Sequence, residues 1–246
     1  MSLEVQGLTK TFDGLVAVKN VTFVAGQGLV TSVIGPNGAG KTTLFNIITG
    51  YLRADAGQVL FHGEAINHLP PYKIVRKGIG RSFQIVNIFP MLTVFENVQV
   101  ALISRLRKSP NFISKAKNIG REEVAEILST VGLSSQRDSM AGTLSYGDQR
   151  IMEIAIALAS KPTLLLLDEP TAGMGPQETA IAGGLIQSLA QKHHLTILLV
   201  EHDMDVVFSV SDMIVVMHQG EVIATGRPEE MRENEKVISV YLGEME

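Results

Sequence analysis

The sequence predicts an α/β fold: a mostly parallel core sheet with an N-terminal antiparallel β-subdomain and an inserted α-helical subdomain. Three observations carry that prediction. Continuous apolar runs, "LVTSVIG", "TLLLLDE" and "LTILLVEH", alternate with segments of helical period, the pattern of strands covered on both faces by helices. Residues 1–34 instead contain short β-type runs, "LEVQGLTKTF" and "AVKNVTFVA", separated by glycines, which reads as antiparallel strands feeding one buried strand. Between about 85 and 160 the chain turns helical, with apolar residues at helical spacing in "EEVAEILSTVGL" and "QRIMEIAIALAS".

In chain order, the buried strand ending at Gly35 should hand over to a helix from Thr42 to about Gly50. "LSYGDQR", residues 144–150, forms an elbow opening into a helix from Ile151 to Ser160. Past Thr163 the α/β pattern returns: "TLLLLDE", a helix over 177–192, "LTILLVEH", a helix over 203–210, then the strands "MIVVMH" and "GEVIATG". Residues 228–246 read as a short charged helical tail packed on the surface. The organisation that follows is a core of residues 1–84 and 161–246, interrupted by a helical subdomain at 85–160. No internal repeat or low-complexity tract is present.

Composition narrows the function classes. The chain has 246 residues, 45% of them hydrophobic, enough to bury a sizeable core. Net charge is −4, and lysine and arginine read as scattered rather than clustered, so no footprint for nucleic acid is expected. There is no cysteine, which excludes disulfides and cysteine metal sites and fits a cytosolic setting. The N-terminus "MSLEVQGLTK" lacks the basic and apolar regions of a signal peptide, and no apolar run approaches a bilayer span. Any membrane is then met through a partner.

The strongest motif is "GPNGAGKTT": Gly35, Pro36, Asn37, Gly38, Ala39, Gly40, Lys41, Thr42 and Thr43. It fits G-x-x-x-x-G-K-[ST] and lies between an apolar strand and a helix, where that loop must be to work. Its glycines let backbone N–H groups wrap phosphates, Lys41 reaches the β and γ oxygens, and the Thr42 hydroxyl ligates Mg²⁺. The run "LLLLDEP" ends a buried strand in two acids, at the edge where parallel sheets hold ligands. Asp168 is placed to hold Mg²⁺ and Glu169 to polarise the attacking water. His202, after another apolar strand, falls at the same edge. "LSYGDQR" offers a second helix N-terminus, either an anion site or simply a turn capped by Ser145.

The phosphate loop, Gln84, "LSYGDQ", "LLLLDEP" and His202 stand in the order and approximate spacing of ATP-binding-cassette (ABC) ATPases, and the chain resembles that family over essentially its whole length. The resemblance implies a P-loop NTPase cassette, ATP and Mg²⁺ as ligands, and a head-to-tail pair of subunits with two ATP molecules between them. In that pair, Ser145 and the Gly147 backbone serve the partner's ATP. It also implies that Phe12 stacks on adenine, that Gln84 contacts Mg²⁺ and the attacking water, that His202 reads the γ-phosphate and that Glu169 is the catalytic base. Two positions depart from the usual pattern: Tyr146 replaces a signature glycine, and Gly175 stands where many cassettes have an aspartate that bonds across the dimer.

"GIGRSFQIVNIFPMLTVFENVQVAL", "EHDMDVVFSVSDMIVVMHQGEVIATGRPEE" and "VISVYLGE" resemble the ATPase subunit of branched-chain amino acid importers. Urea and short-chain amide importers share that architecture. The implied setting is the cytoplasmic face of the membrane, with a second ATPase subunit (identical or paralogous), two permeases and, indirectly, a binding protein. Ile88, Phe89, Met91 and Leu92 are candidates for the permease contact, or for the small core of the helical subdomain. Soluble cassettes acting on DNA or ribosomes fit less well, because neither a second cassette nor a long coiled-coil insertion is present. A GTPase is excluded by the lack of an Asn-Lys-x-Asp stretch.

Overall fold

A computed structural model describes residues 2–82, 88–106 and 119–242, with no side-chain description for 241–242. Two sheets make its frame. The first is antiparallel, in the order β2-β1-β4-β5, from β1 (Leu3–Phe12), β2 (Leu15–Ala25), β4 (Ala56–Phe61) and β5 (Glu64–Ala65). The second has six strands in the order β10-β9-β3-β8-β7-β6: β3 (Val30–Ile34), β6 (Ile79–Arg81), β7 (Leu164–Asp168), β8 (Thr196–Val200), β9 (Met213–His218) and β10 (Glu221–Gly226). Every neighbouring pair in it is parallel except β10 with β9.

The α-helices among the described residues are α1 (Lys41–Ile48), α2 (Pro71–Arg76), α3 (Val94–Leu106), α4 (Arg121–Thr130), α5 (Tyr146–Leu158), α6 (Pro176–His193), α7 (Met204–Val210), α8 (Pro228–Arg232) and α9 (Glu235–Leu242). Strand β7 shows why a continuous apolar run is needed here. Leu164 and Leu166 pack with α1 and the antiparallel sheet, while Leu165 and Leu167 face α5, α6 and α7. All four are fully buried, each contributing roughly 1.5–3 kcal/mol. A polar residue on either face would therefore sit in a core.

A third cluster joins α3, α4 and α5 through Val94, Val98, Leu102, Val124, Leu128, Ile151 and Met152. Helix α5 belongs to two cores, because Ile154 and Ala157 point into the sheet cluster instead. Thr93 and Glu96 start α3 with a reciprocal pair of bonds: Thr93 N–H to Glu96 Oε2 at 2.9 Å and Glu96 N–H to Thr93 Oγ1 at 3.1 Å.

Two expectations are corrected. Helix α5 starts at Tyr146 and not at Ile151, so the signature residues are its first turn. Ser145 caps it, its Oγ accepting from Asp148 N–H at 3.1 Å. The tail is more than a surface segment: Met231 and Val237 are buried with Ile34, Val207, Ile214 and Val216.

Candidate active site

Four adjacent parallel strands, β3, β8, β7 and β6, deliver their carboxyl ends to one edge of the sheet. Beyond β3 comes the glycine loop, beyond β8 Glu201 and His202, at the end of β7 Asp168 and Glu169, and at the end of β6 Arg81. This is the edge at which such sheets hold ligands.

The loop is built around close backbone approach. Gly35 has φ 150 and Gly40 φ 99. A methyl on Gly35 would overlap the Met217 carbonyl oxygen at β9, and one on Gly40 would overlap the Ala17 carbonyl oxygen of β2. The loop is thus pinned between both sheets, and the β1–β2 turn bearing Phe12 is anchored beside it through Ala17. Phe12 is exposed, with Lys10 Nζ 5.3 Å from its ring centroid. Asn37, Gly38 and Thr42 are also exposed.

The residues present fit a bound triphosphate. Helix α1 begins with no side-chain cap and no acid in its first turn, whereas Ser145 caps α5 and Asp203 caps α7. Its free N–H groups and positive dipole end are left for an anion. Lys41 Nζ donates to Gly35 O at 2.5 Å and Pro36 O at 2.9 Å, spanning the loop a phosphate would enter. Among the described residues no group of three or more His, Cys, Asp or Glu could hold a metal alone.

Glu169 has φ 50, the left-handed region that a residue with a side chain adopts at a cost of about 1–3 kcal/mol. Its N–H donates to Val200 O at 2.8 Å, and its Oε1 lies 2.8 Å from His202 Nε2. Both line a cleft of about 260 Å³ that opens past Thr171, Gly173 and Met174. Glu201, 3% exposed, fixes the histidine from behind: Oε1 accepts from Thr171 N–H at 2.9 Å and Thr171 Oγ1 at 2.6 Å, and Oε2 from His202 N–H at 3.0 Å.

Asp168 is 2% exposed, and its Oδ2 accepts from Arg81 Nη2 at 3.0 Å. Arg81 Nη1 donates to Asn46 Oδ1 at 2.8 Å and Thr49 Oγ1 at 3.0 Å, so β6, β7 and α1 meet at one guanidinium. Removing it strands a buried carboxylate, and Arg81→Met is expected to cost about 3–5 kcal/mol. Thermal unfolding would register that as a fall of roughly 10 °C or more for a chain of this size.

The signature turn is packed against its own chain. A methyl on Gly147 would meet Glu178 Oε1 at 2.6 Å, and one on Gly173 would meet Tyr146 Cε1 at 3.2 Å. Ser145 and Tyr146 are exposed. Gln84 lies outside the described residues. Arg81, Arg150 and Glu201 are the residues that motif reading missed, although "GRSFQ", "LSYGDQR" and "LLVEHD" contain them.

A phosphate loop backed by an acid pair and a histidine at one sheet edge defines a nucleoside triphosphatase, and the comparisons say which kind. The profile described as "ABC transporter" matches residues 18–172, well over half the sequence, and the chain belongs to that family. It is an ATPase in which ATP hydrolysis is coupled to transport. A second profile, "Branched-chain amino acid ATP-binding cassette transporter", matches residues 221–246.

The chain is 45% identical to the high-affinity branched-chain amino acid transport ATP-binding protein BraF of Pseudomonas aeruginosa, covering 98% of both chains. It is 43% identical to LivG of Escherichia coli K12, again over 98% of both. Among solved structures, the ADP conformation of the cassette MJ1267 aligns with a TM-score of 0.86 at 31% identity, over 98% of each chain. A post-hydrolysis dimer of the cassette MJ0796 with ADP and Pi aligns at 0.78 and 28% identity, over 92% of this chain and 98% of that one. ATPase subunits of this family dimerise and work with permease components. No helix among the described residues is long and apolar enough to cross a membrane.

Proposed function

We propose that this chain powers an importer of branched-chain amino acids from the cytoplasmic face of the membrane, hydrolysing Mg-ATP at the sheet edge described above. The observation that carries the catalytic part is the Glu169–His202 pair at 2.8 Å beside an uncapped, glycine-built helix N-terminus. Relatives similar over their full length, whose names specify branched-chain amino acid transport, support the substrate class. A related urea or short-chain amide importer is the competing substrate reading.

In this reading Lys41 and the loop N–H groups neutralise the β- and γ-phosphates, and Phe12 offers its exposed ring to adenine. Thr42 and Asp168 would hold Mg²⁺, together with Gln84, and the ion would offset charge on the transferring phosphoryl group. Glu169 accepts a proton from the attacking water through its carboxylate, and His202 holds that carboxylate's other side and faces the γ-phosphate. Ser145 and the Gly147 backbone cover the ATP of a second subunit, identical or paralogous. ATP then binds the closed pair better than the open one, and loss of the γ-phosphate removes the difference.

The helical unit, proposed as residues 85–160, carries this motion to the permease. Phe89 and Met91 are 55% and 80% exposed, whereas Ile88 and Leu92 are partly buried, Ile88 packing on the helical cluster. Buried Asn97 holds this loop rigid, accepting from Phe89 N–H at 2.8 Å and donating to the Phe89 and Thr93 carbonyls at 3.0 and 2.9 Å. A stiff loop with two bare apolar side chains suits a permease helix.

Light scattering on Glu169→Gln tests the pairing. With Mg-ATP the mass should double, and Ser145→Arg in the same background should abolish the shift. A mass that stays monomeric while ATP binds would exclude the homodimer and leave a paralogous subunit as partner.

A further inference from the structure

Arg150 is 3% exposed in the second turn of α5, the helix that opens with the signature residues. Its Nη2 donates to the backbone carbonyl of Glu169 at 2.7 Å, and its Nη1 to Glu153 Oε2 at 3.0 Å. The Tyr146 ring centroid lies 5.9 Å from its guanidinium carbon, and the same ring lies against Gly173, four residues after Glu169. One face of one helix therefore touches both the peptide of Glu169 and the loop that follows it.

That contact falls on a strained residue. Glu169 is held at φ 50, which persists only where its surroundings over-determine it. Val200 takes the N–H on one side; on the other the carbonyl accepts from Ala172 N–H at 3.2 Å and, at the shorter distance, from the charged Arg150. A charge-assisted hydrogen bond is roughly twice as strong as a neutral one. Without it the carbonyl loses its charged partner and keeps the longer bond from Ala172 N–H, so the strained φ is held less firmly and the carboxylate is aimed less sharply beside His202.

We propose that Arg150 is a positioning residue for hydrolysis: it clamps the Glu169 carbonyl and so ties the aim of that carboxylate to the seating of the signature helix. The inference rests on reading Glu169 as the base and Ser145–Gly147 as the cover over a partner's ATP. Its consequence is a route between the two nucleotide sites. When a partner's ATP seats α5, Arg150 and Tyr146 move with it, and Glu169 of the same chain is adjusted.

Removing Arg150 alone takes the ion-pair partner from Glu153, which is 6% exposed. The variant to make is Arg150→Met with Glu153→Met, because replacing both partners of a buried pair with apolar residues is often neutral for stability. The expected kcat is about 30- to 100-fold lower, within the span general-base placement controls, with KM for ATP and fluorescent-ATP affinity changed less than about twofold. Introduced into Glu169→Gln, the same pair of substitutions should lower kcat little further, since residues acting as one unit are non-additive. Arg150→Lys, which keeps a charge but not the two-pronged reach, should lose at least about fivefold in kcat at nearly unchanged melting temperature. Near-normal kcat in either folded variant, or a full additional loss when the paired substitution is introduced into Glu169→Gln, overturns the proposal. Turnover surviving in Glu169→Gln alone would instead overturn the base on which it rests.

Discussion

Glu169→Gln is expected to lower ATP turnover by about 10²- to 10⁴-fold while leaving ATP affinity within a fewfold of the unsubstituted chain. The amide keeps the volume and the reach to His202 Nε2, now at 2.8 Å from Oε1, but it does not take a proton from water. Phosphate binding depends on different groups, the loop N–H donors and Lys41, which belong to β3 and α1 and not to β7. The substitution therefore separates chemistry from binding. Steady-state phosphate release would give kcat, and equilibrium titration with a fluorescent ATP analogue would give affinity. A parallel fall in both would mean that the carboxylate serves the loop's architecture and that another group activates water.

The same comparison bears on His202. Its side chain is 44% exposed against 18% for Glu169, so fewer neighbours enclose it, and Glu201 fixes its backbone instead. Glu201 is nearly buried and spends both carboxylate oxygens on Thr171 and His202 N–H. That carboxylate keeps the loops after β7 and β8 in register, which is what places the His202 ring against Glu169.

Much of this was readable beforehand, and the reason is local. The loop 35–43, the acids at 168–169 and the histidine at 202 each follow an apolar strand, so motif and context lie within a few residues of one another. Alternation along β7 sends its leucines into two cores, and only a run without polar residues satisfies both. The sheet edge then follows from parallel strands all ending on one side.

What was not readable depends on partners far apart in sequence. Arg81 and Asp168 are separated by 87 positions, Thr171 and Glu201 by 30, and Arg150 and Glu169 by 19. Nothing in "GRSFQ" says which carboxylate its arginine will meet. The stretch 51–81 shows no periodic element in sequence, although it supplies β4, β5, α2 and β6, because β5 has two residues and β6 three, too short to show a period. The sequence hides the start of α5, because Tyr146 and Gly147 are poor helix formers. The cap at Ser145 and the packing of Gly147 on Glu178 outweigh that preference. The scatter of basic residues also does not hold: six of the 21 lysines and arginines fall between Arg105 and Arg121.

Gly35→Ala should do more damage to nucleotide binding than any other single methyl in the loop. Gly35 is at φ 150, and its added carbon would overlap the Met217 carbonyl oxygen while lying 3.1 Å from Ala39 Cβ. A carbonyl at the end of β9 cannot turn aside as a side chain can, since β9 is paired on both sides, with β3 and β10. The loop must give way instead, lifting the N–H groups and the Gly35 carbonyl that seats Lys41. Because the donors act together at one helix end, a shift of this kind is expected to weaken ATP binding by at least about 100-fold, roughly 2.7 kcal/mol. Gly38→Ala is the control: its φ of 80 disfavours a side chain, yet a methyl there meets nothing within 4 Å. Its strain of about 1–2 kcal/mol should appear mainly as a lower melting temperature, with affinity reduced far less. Equal losses of affinity at the two positions would show that loop flexibility, and not the approach of β9 to Gly35, sets the phosphate site.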